Sequence, residues 1–189
     1  CLMLRSVNAS RTEPSTEPIS PSEVCDYLRI DYNDHDPMIS QYCKEARQVL
    51  EDGYLWKCCI TQTCIDKFNE FGEMELKYQP VSAITSITYT DAAGETQTVA
   101  DTVYELGSIN GISHVRLKHG QTWPSTRGHE DVVTVTYSAG YGAAETNVPE
   151  AIRQAIIMYA GHLYDNPQDP PPSWVLNRIA AYCDSRVMP

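Results

Sequence analysis

Gln121-Thr-Trp-Pro-Ser-Thr-Arg-Gly128 is followed, three residues on, by Val132-Val-Thr-Val-Thr-Tyr137 and then by Ser138-Ala-Gly-Tyr-Gly142. The first piece is a polar loop carrying one large aromatic, Trp123, and one cation, Arg127, with Pro124 and Gly128 restricting its shape. The second piece is rich in β-branched residues and reads as a strand. Gly140 and Gly142 break it, and Val148-Pro149-Glu150 opens a helix, with proline at a helix start. Loop, strand and helix in this order join a β region to a helical one, so the expected class is α+β.

Working outward, the helix from 149 to about 164 carries Ile152, Ile156, Tyr159 and Leu163 in one stripe. Ile157, Met158, Ala160 and Gly161 lie largely off that stripe and are also uncharged. A helix that is apolar nearly all round must be covered nearly all round. A second subunit is the expected cover, which makes Ile157 and Met158 interface candidates. Residues 166–172 are proline-rich and read as a stiff spacer. A last helix over 173–186 is expected to bury Leu176, Ile179, Ala180 and Cys183, leaving Trp174, Arg178 and Arg186 for its other faces.

Upstream of the loop, the pattern has a period of two. Residues 60–68, 73–78, 81–89, 95–99, 103–106 and 112–117 read as short strands. Val81, Ala83, Ile87 and Tyr89 are expected on one face. Asp91-Ala-Ala-Gly94 and Asn110-Gly111 are turn signals. These strands form an expected antiparallel β region over 58–143. Before it, 20–57 reads as helical. Ser20-Pro-Ser-Glu23 is a capping box with proline at the first position, and Val24, Tyr27 and Leu28 are the expected buried stripe. Asp36-Pro37 starts a second helix with Ile39, Tyr42, Cys43, Ala46, Val49 and Leu50 inward, and Gly53 is its expected stop. The acidic run between them departs from a calcium loop, because Asp36 and Tyr42 stand where glycine and glutamate are needed; it reads as a solvated linker. Residues 1–19 are expected to be an extended arm, and 144–189 the closing helices.

Composition excludes several classes. The chain of 189 residues is 42% hydrophobic and 21% charged, as in a folded protein. Its net charge of −11, with no Lys/Arg cluster, argues against gripping nucleic acid. No apolar run is long enough to span a bilayer. Cys1 would suit a lipid-anchored N-terminus, but Leu2-Met3-Leu4 is not a small polar tether. Seven cysteines without a Cys-x-x-Cys pair, and five scattered histidines, do not make a zinc pattern. The cysteines are expected to be reduced thiols, and of Cys58 and Cys59 one is expected to face the core and one out. No phosphate loop, dinucleotide fingerprint or nucleophile elbow is present, so neither catalysis nor a cofactor or metal is expected. Trp123 and Arg127 are residue types favoured at interface anchors, and the alternative for Trp123 is to cover a sheet edge.

The ordered set of these pieces resembles the head–tail connector, or adaptor, proteins of tailed phages and gene transfer agents. The likeness rests on residues 121–128, on the strand ending Ser138-Ala-Gly-Tyr-Gly142, and on Val148-Pro-Glu-Ala-Ile-Arg-Gln-Ala-Ile156. It is joined by Ile19-Ser-Pro-Ser-Glu23, Tyr27-Leu-Arg-Ile-Asp31, Ile60-Thr-Gln-Thr63 and Pro80-Val-Ser-Ala-Ile-Thr-Ser-Ile87. It covers about residues 19–165; the cysteines and the Pro170-Pro-Pro172 spacer with its helix fall outside it. The resemblance implies a small helical bundle with an inserted antiparallel β region. It also implies a structural virion protein of the neck, usually a dodecameric ring between the portal and a stopper or tail protein. DNA would pass through without specific binding, assembly would take place in the host cytoplasm, and the C-terminal segment would contact the portal. Trp123, Arg127, Tyr141, Ile157, Met158, Trp174, Arg178 and Arg186 are the expected interface residues. The alternative is a tail or baseplate module that contacts a partner through its β region. A cysteine-dependent enzyme is a third reading.

Overall fold

The computed structural model describes residues 3–31, 36–183 and 186. Residues 32–35 of the expected acidic linker over 31–36, the capping side chain of Asp36 and the question of Cys1 lie outside the described residues. The fold is mixed α+β, with four α-helices and two sheets among the described residues. Contacts divide the chain into two units: Cys1–Glu13 with Thr61–Gly140, and Pro14–Ile60 with Tyr141–Pro189.

The first unit holds nine strands: β1 (Leu4–Arg5), β2 (Asn8–Arg11), β3 (Gln62–Phe68), β4 (Met74–Glu75), β5 (Val81–Thr90), β6 (Thr96–Thr98), β7 (Tyr104–Ile109), β8 (Ile112–Leu117) and β9 (Val133–Ala139). They form two sheets rather than one, in the orders β1-β4-β8-β7 and β2-β3-β9-β5-β6. All pairings are antiparallel except β1 with β4. Residues 4–11 are therefore not a free arm. Leu4 and Arg5 pair with Met74 and Glu75, and Asn8 to Arg11 pair with Lys67 to Cys64. Backbone groups that an extended arm would leave to water are satisfied in the ladders.

β9 lies between β3 and β5, and its burial alternates at every residue. Alternation fails in β5. Register shifts between Val81 and Ala83 and between Ile84 and Ser86 re-aim its side chains, leaving Ala83 exposed while Ile87 is buried. The Asn110-Gly111 turn between β7 and β8 has φ of 52° and 79°, the left-handed pair that a two-residue hairpin requires.

Side chains hold the residues after β4, where the ladder is short. The buried Asp66 carboxylate accepts from Lys77 N at 2.7 Å and from the Tyr137 hydroxyl at 3.1 Å. That hydroxyl accepts from Tyr78 N at 3.1 Å. Burial, followed by the Asp66 charge, holds the Tyr137 phenol far above its ordinary pKa, so it stays a donor.

The second unit holds α1 (Pro21–Leu28), α2 (Asp36–Leu50), α3 (Glu150–Asp165) and α4 (Ser173–Ile179). The capping box is formed: the Ser20 side chain accepts from Glu23 N, and Glu23 accepts from Ser20 N at 2.7 Å. Gly53 does not stop α2. The chain continues as a π-turn over Glu51–Leu55 and ends at Trp56 in the left-handed region. The cause lies in Glu51, which is fully buried. One carboxylate oxygen accepts from Arg47 at 2.9 Å, and the other accepts from Cys59 N at 2.6 Å. Arg47 also donates to Glu17 at 2.7 Å. Burial opposes the Arg47 charge, but the Glu17 hydrogen bond and the Glu51 charge override it and hold its pKa above the usual.

α3 is covered by its own unit. Ile157, expected to need a second subunit, is only 4% exposed within the single chain and belongs to the core with Val24, Cys43, Ile152 and Val175. The expected last helix is shorter than 173–186: α4 ends at Ile179 and a 3-10 turn follows over Ala180–Tyr182. Its buried stripe is Val175 and Ile179, four residues apart, so Ala180 is exposed and Leu176 and Cys183 are half-buried. Cys58 and Cys59 are both fully buried; neither lies in a strand, so alternation does not apply.

Candidate functional site

Two surfaces, one in each unit, hold some of the expected interface residues. In the first unit, Trp123 is half-buried and stacks flat on Phe71, with centroids 4.7 Å apart and planes at 7°. Phe71 meets Tyr89 edge-on at 5.4 Å. The loop thus folds back over aromatic side chains, the geometry expected of a sheet-edge cover. Its backbone is fixed to β5 by the hydrogen bond from Arg127 N to Thr90 O at 3.0 Å. The Arg127 side chain stays exposed and, with Thr90, His129, Glu130 and Val132, lines a shallow hollow of about 170 Å³.

In the second unit, Met158 and Trp174 come together. They line a hollow of about 410 Å³ with Tyr27, Leu28, Gly161, His162 and Asp165. Tyr27 was expected in the buried stripe of α1, but it is 47% exposed. That stripe is carried by Val24 and Cys25 instead. Gly161 makes the arrangement possible, since a Cβ there would stand 2.8 Å from the Tyr27 ring. Trp174 is 45% exposed and meets His162 edge-on at 6.2 Å. His162 Nε2 lies 3.5 Å from Asp169, and Asp169 O accepts from the Tyr159 hydroxyl at 3.0 Å. The hollow therefore has aromatic walls and an acidic rim.

The remaining candidates are more scattered. Tyr141 is half-buried against the helical core, where burial and then neighbouring Cys59 and Tyr182 push its phenol up to about 12. Arg178 is exposed on α4. The Arg186 guanidinium sits 5.2 Å over the Trp56 ring, and Lys57 Nζ donates to Tyr182 O at 2.7 Å. Tyr27 lies at the surface with its ring against Gly161, a place that the apolar stripe expected of α1 does not indicate.

Catalytic groupings are sparse. No cluster of three metal-binding side chains occurs among the described residues. Burial, with Glu17 next, pushes the Cys43 thiol up to about 12, and burial raises Cys183 as well, so both stay protonated at neutral pH and are poor nucleophiles.

No family model matches the chain, and no curated protein matches it in sequence. Solved structures do match. The chain is similar to one from the neck of an empty gene transfer agent particle computed with C6 symmetry, at a TM-score of 0.79 and 19% identity, over 96% of this chain and 98% of that one. It is similar to one from the virion of a native gene transfer agent particle, at a TM-score of 0.76 and 21% identity, over 99% and 98%. A third comes from the neck of a native particle computed with C12 symmetry, at 0.76 and 21%, over 96% and 98%. These likenesses show a shared fold over almost the entire length of both chains, and the resemblance drawn from the sequence points to the same class.

Proposed function

We propose that the chain is a structural neck protein of a phage-like particle. In this reading it is an adaptor whose copies form a ring between a portal and a stopper or tail protein, around the DNA channel. The observation that carries the reading is the end-to-end match, over 96% of this chain and 98% of the other, with a chain of a particle neck computed with C12 symmetry. A match that leaves almost nothing over in either chain is what a shared structural role produces, whereas a grafted domain would leave a remainder. The net charge of −11 suits a channel lining, because strong phosphate contacts would retard passing DNA. Trp123, Arg127, Tyr141, Met158, Trp174, Arg178 and Arg186 are the residues proposed to meet neighbours. Ile157 leaves that set because it is buried.

Labelling tests the location. An antibody against the chain, imaged on intact particles by electron microscopy, should mark a single capsid vertex where the tail joins. Label on the tail tip, or on no particle, would refute the reading.

A further inference from the structure

The loop before β9 holds one guanidinium at the surface on a fixed backbone. Trp123 stacks on Phe71 at 4.7 Å, Arg127 N donates to Thr90 O at 3.0 Å, and Asp131 N donates to Asn69 Oδ1 at 3.0 Å. The chain is thus tied down before, at and after Arg127. The exposed guanidinium rests on the turn between β5 and β6, with Nη1 3.4 Å from where a Cβ would stand on Gly94. The carboxylate of that turn is engaged by the turn itself. Asp91 accepts from Ala93 N at 2.9 Å, from Glu95 N at 3.0 Å and from Gln97 Nε2 at 3.0 Å. Glu130 lines the same hollow as Arg127, yet no ion pair or hydrogen bond joins the guanidinium to any of the described residues.

A guanidinium fixed in this way presents a planar fork of N–H donors, and the group that matches the fork is a carboxylate. The hollow beside it, of about 170 Å³, has room for the end of one acidic side chain. The charge of the chain indicates where that carboxylate comes from. With 25 acidic against 14 basic residues, copies of the chain repel one another at close range. A contact between copies brings carboxylates together and needs fixed cations among them. A nucleic-acid backbone fits less well, since its row of phosphates would meet Glu130 and a net charge of −11. We infer that Arg127 receives an Asp or Glu carboxylate of a second copy of this chain, in the hollow beside the β5–β6 turn. The inference rests on the ring reading and gives one of its contact residues a partner.

The test uses Arg127→Lys in the full chain, with isotopically heavy and light copies mixed and a carbodiimide added. The carbodiimide joins the new amine to a touching carboxylate as an amide and takes up the water that is lost. Mass spectrometry should find position 127 joined to an Asp or Glu in mixed heavy–light peptides. Arg127→Gln should raise the concentration for half-assembly by about tenfold or more, the scale of a close interfacial charge pair, and Arg127→Lys should keep most of the wild-type assembly. Crosslinks confined to one copy, with Arg127→Gln assembling as the wild type does, would overturn the contact and leave the ring intact. Binding of duplex DNA by the wild type that Arg127→Gln abolishes would overturn it in favour of a phosphate. A wild-type chain that stays single at every concentration would overturn both the contact and the ring.

Discussion

Arg47 is the residue on which the helical unit turns. It is fully buried and lies between Glu17 and Glu51, and Glu51 also holds the backbone of Cys59. Removing the cation strands a buried carboxylate, which costs about 3–5 kcal/mol, whereas removing the partly exposed Glu17 leaves Arg47 its second partner. Arg47→Met should therefore lower stability by about 3–5 kcal/mol in urea titrations, and Glu17→Gln by clearly less. Cys43 gives a pH signature from the same core. Its folded pKa is raised from 9.0 to about 12. A raised value means that the protonated form is favoured by folding. Its contribution is complete below pH 9 and is lost as pH climbs from 9 towards 12. Stability should fall across that window, and a thiol alkylator at pH 8 should label Cys43 only after denaturant is added. None of this was legible in the sequence. An arginine on an amphipathic helix reads as a surface residue, and only its placement beside Glu17, thirty positions away, shows otherwise.

At the scale of elements, local rules were read correctly where local chemistry decides. The Ser20 capping box, the Asn110-Gly111 hairpin and the β-branched run of β9 all depend on neighbours in sequence. Ser20→Ala should cost about 1 kcal/mol by thermal melting. Glu23→Ala should cost more, because Glu23 also takes a hydrogen bond from Arg153 at 2.6 Å. Reading failed where a distant partner decides. The register shifts of β5 arise in its pairing with β9, and the extension past Gly53 goes with the buried Glu51 held by Arg47 and Cys59. The β7–β8 pair shows the same dependence. Gly107 faces the buried His114, and a Cβ at Gly107 would stand 2.5 Å from the imidazole. Gly107→Ala should destabilise by about 1–3 kcal/mol through overpacking. Adding His114→Ser should return part of that loss in the same denaturant series.

For the whole molecule, the sequence disclosed a β region set into a helical chain, and the structure shows how the chain serves both units. It passes from one to the other after Glu13, after Ile60 and after Gly140. The first of these crossings was invisible in the sequence, because residues 4–11 are short and polar and only their partners β3 and β4 make them strands. Surface prediction was mixed. Met158 and Trp174 do share one hollow, while Ile157 is enclosed by its own helices and Tyr27 takes an exposed place instead. Apolar pattern identifies which helices must be covered, but not whether the cover comes from the same chain. The candidates for assembly are consequently the half-exposed aromatic side chains rather than the most apolar stretch.

Whether copies of the chain close into a ring can be read by native mass spectrometry across a range of concentrations. One dominant closed oligomer is expected, a fixed multiple of the subunit mass. A single-copy species at all concentrations, or an unbounded ladder of two, three and four copies without a preferred size, would contradict it.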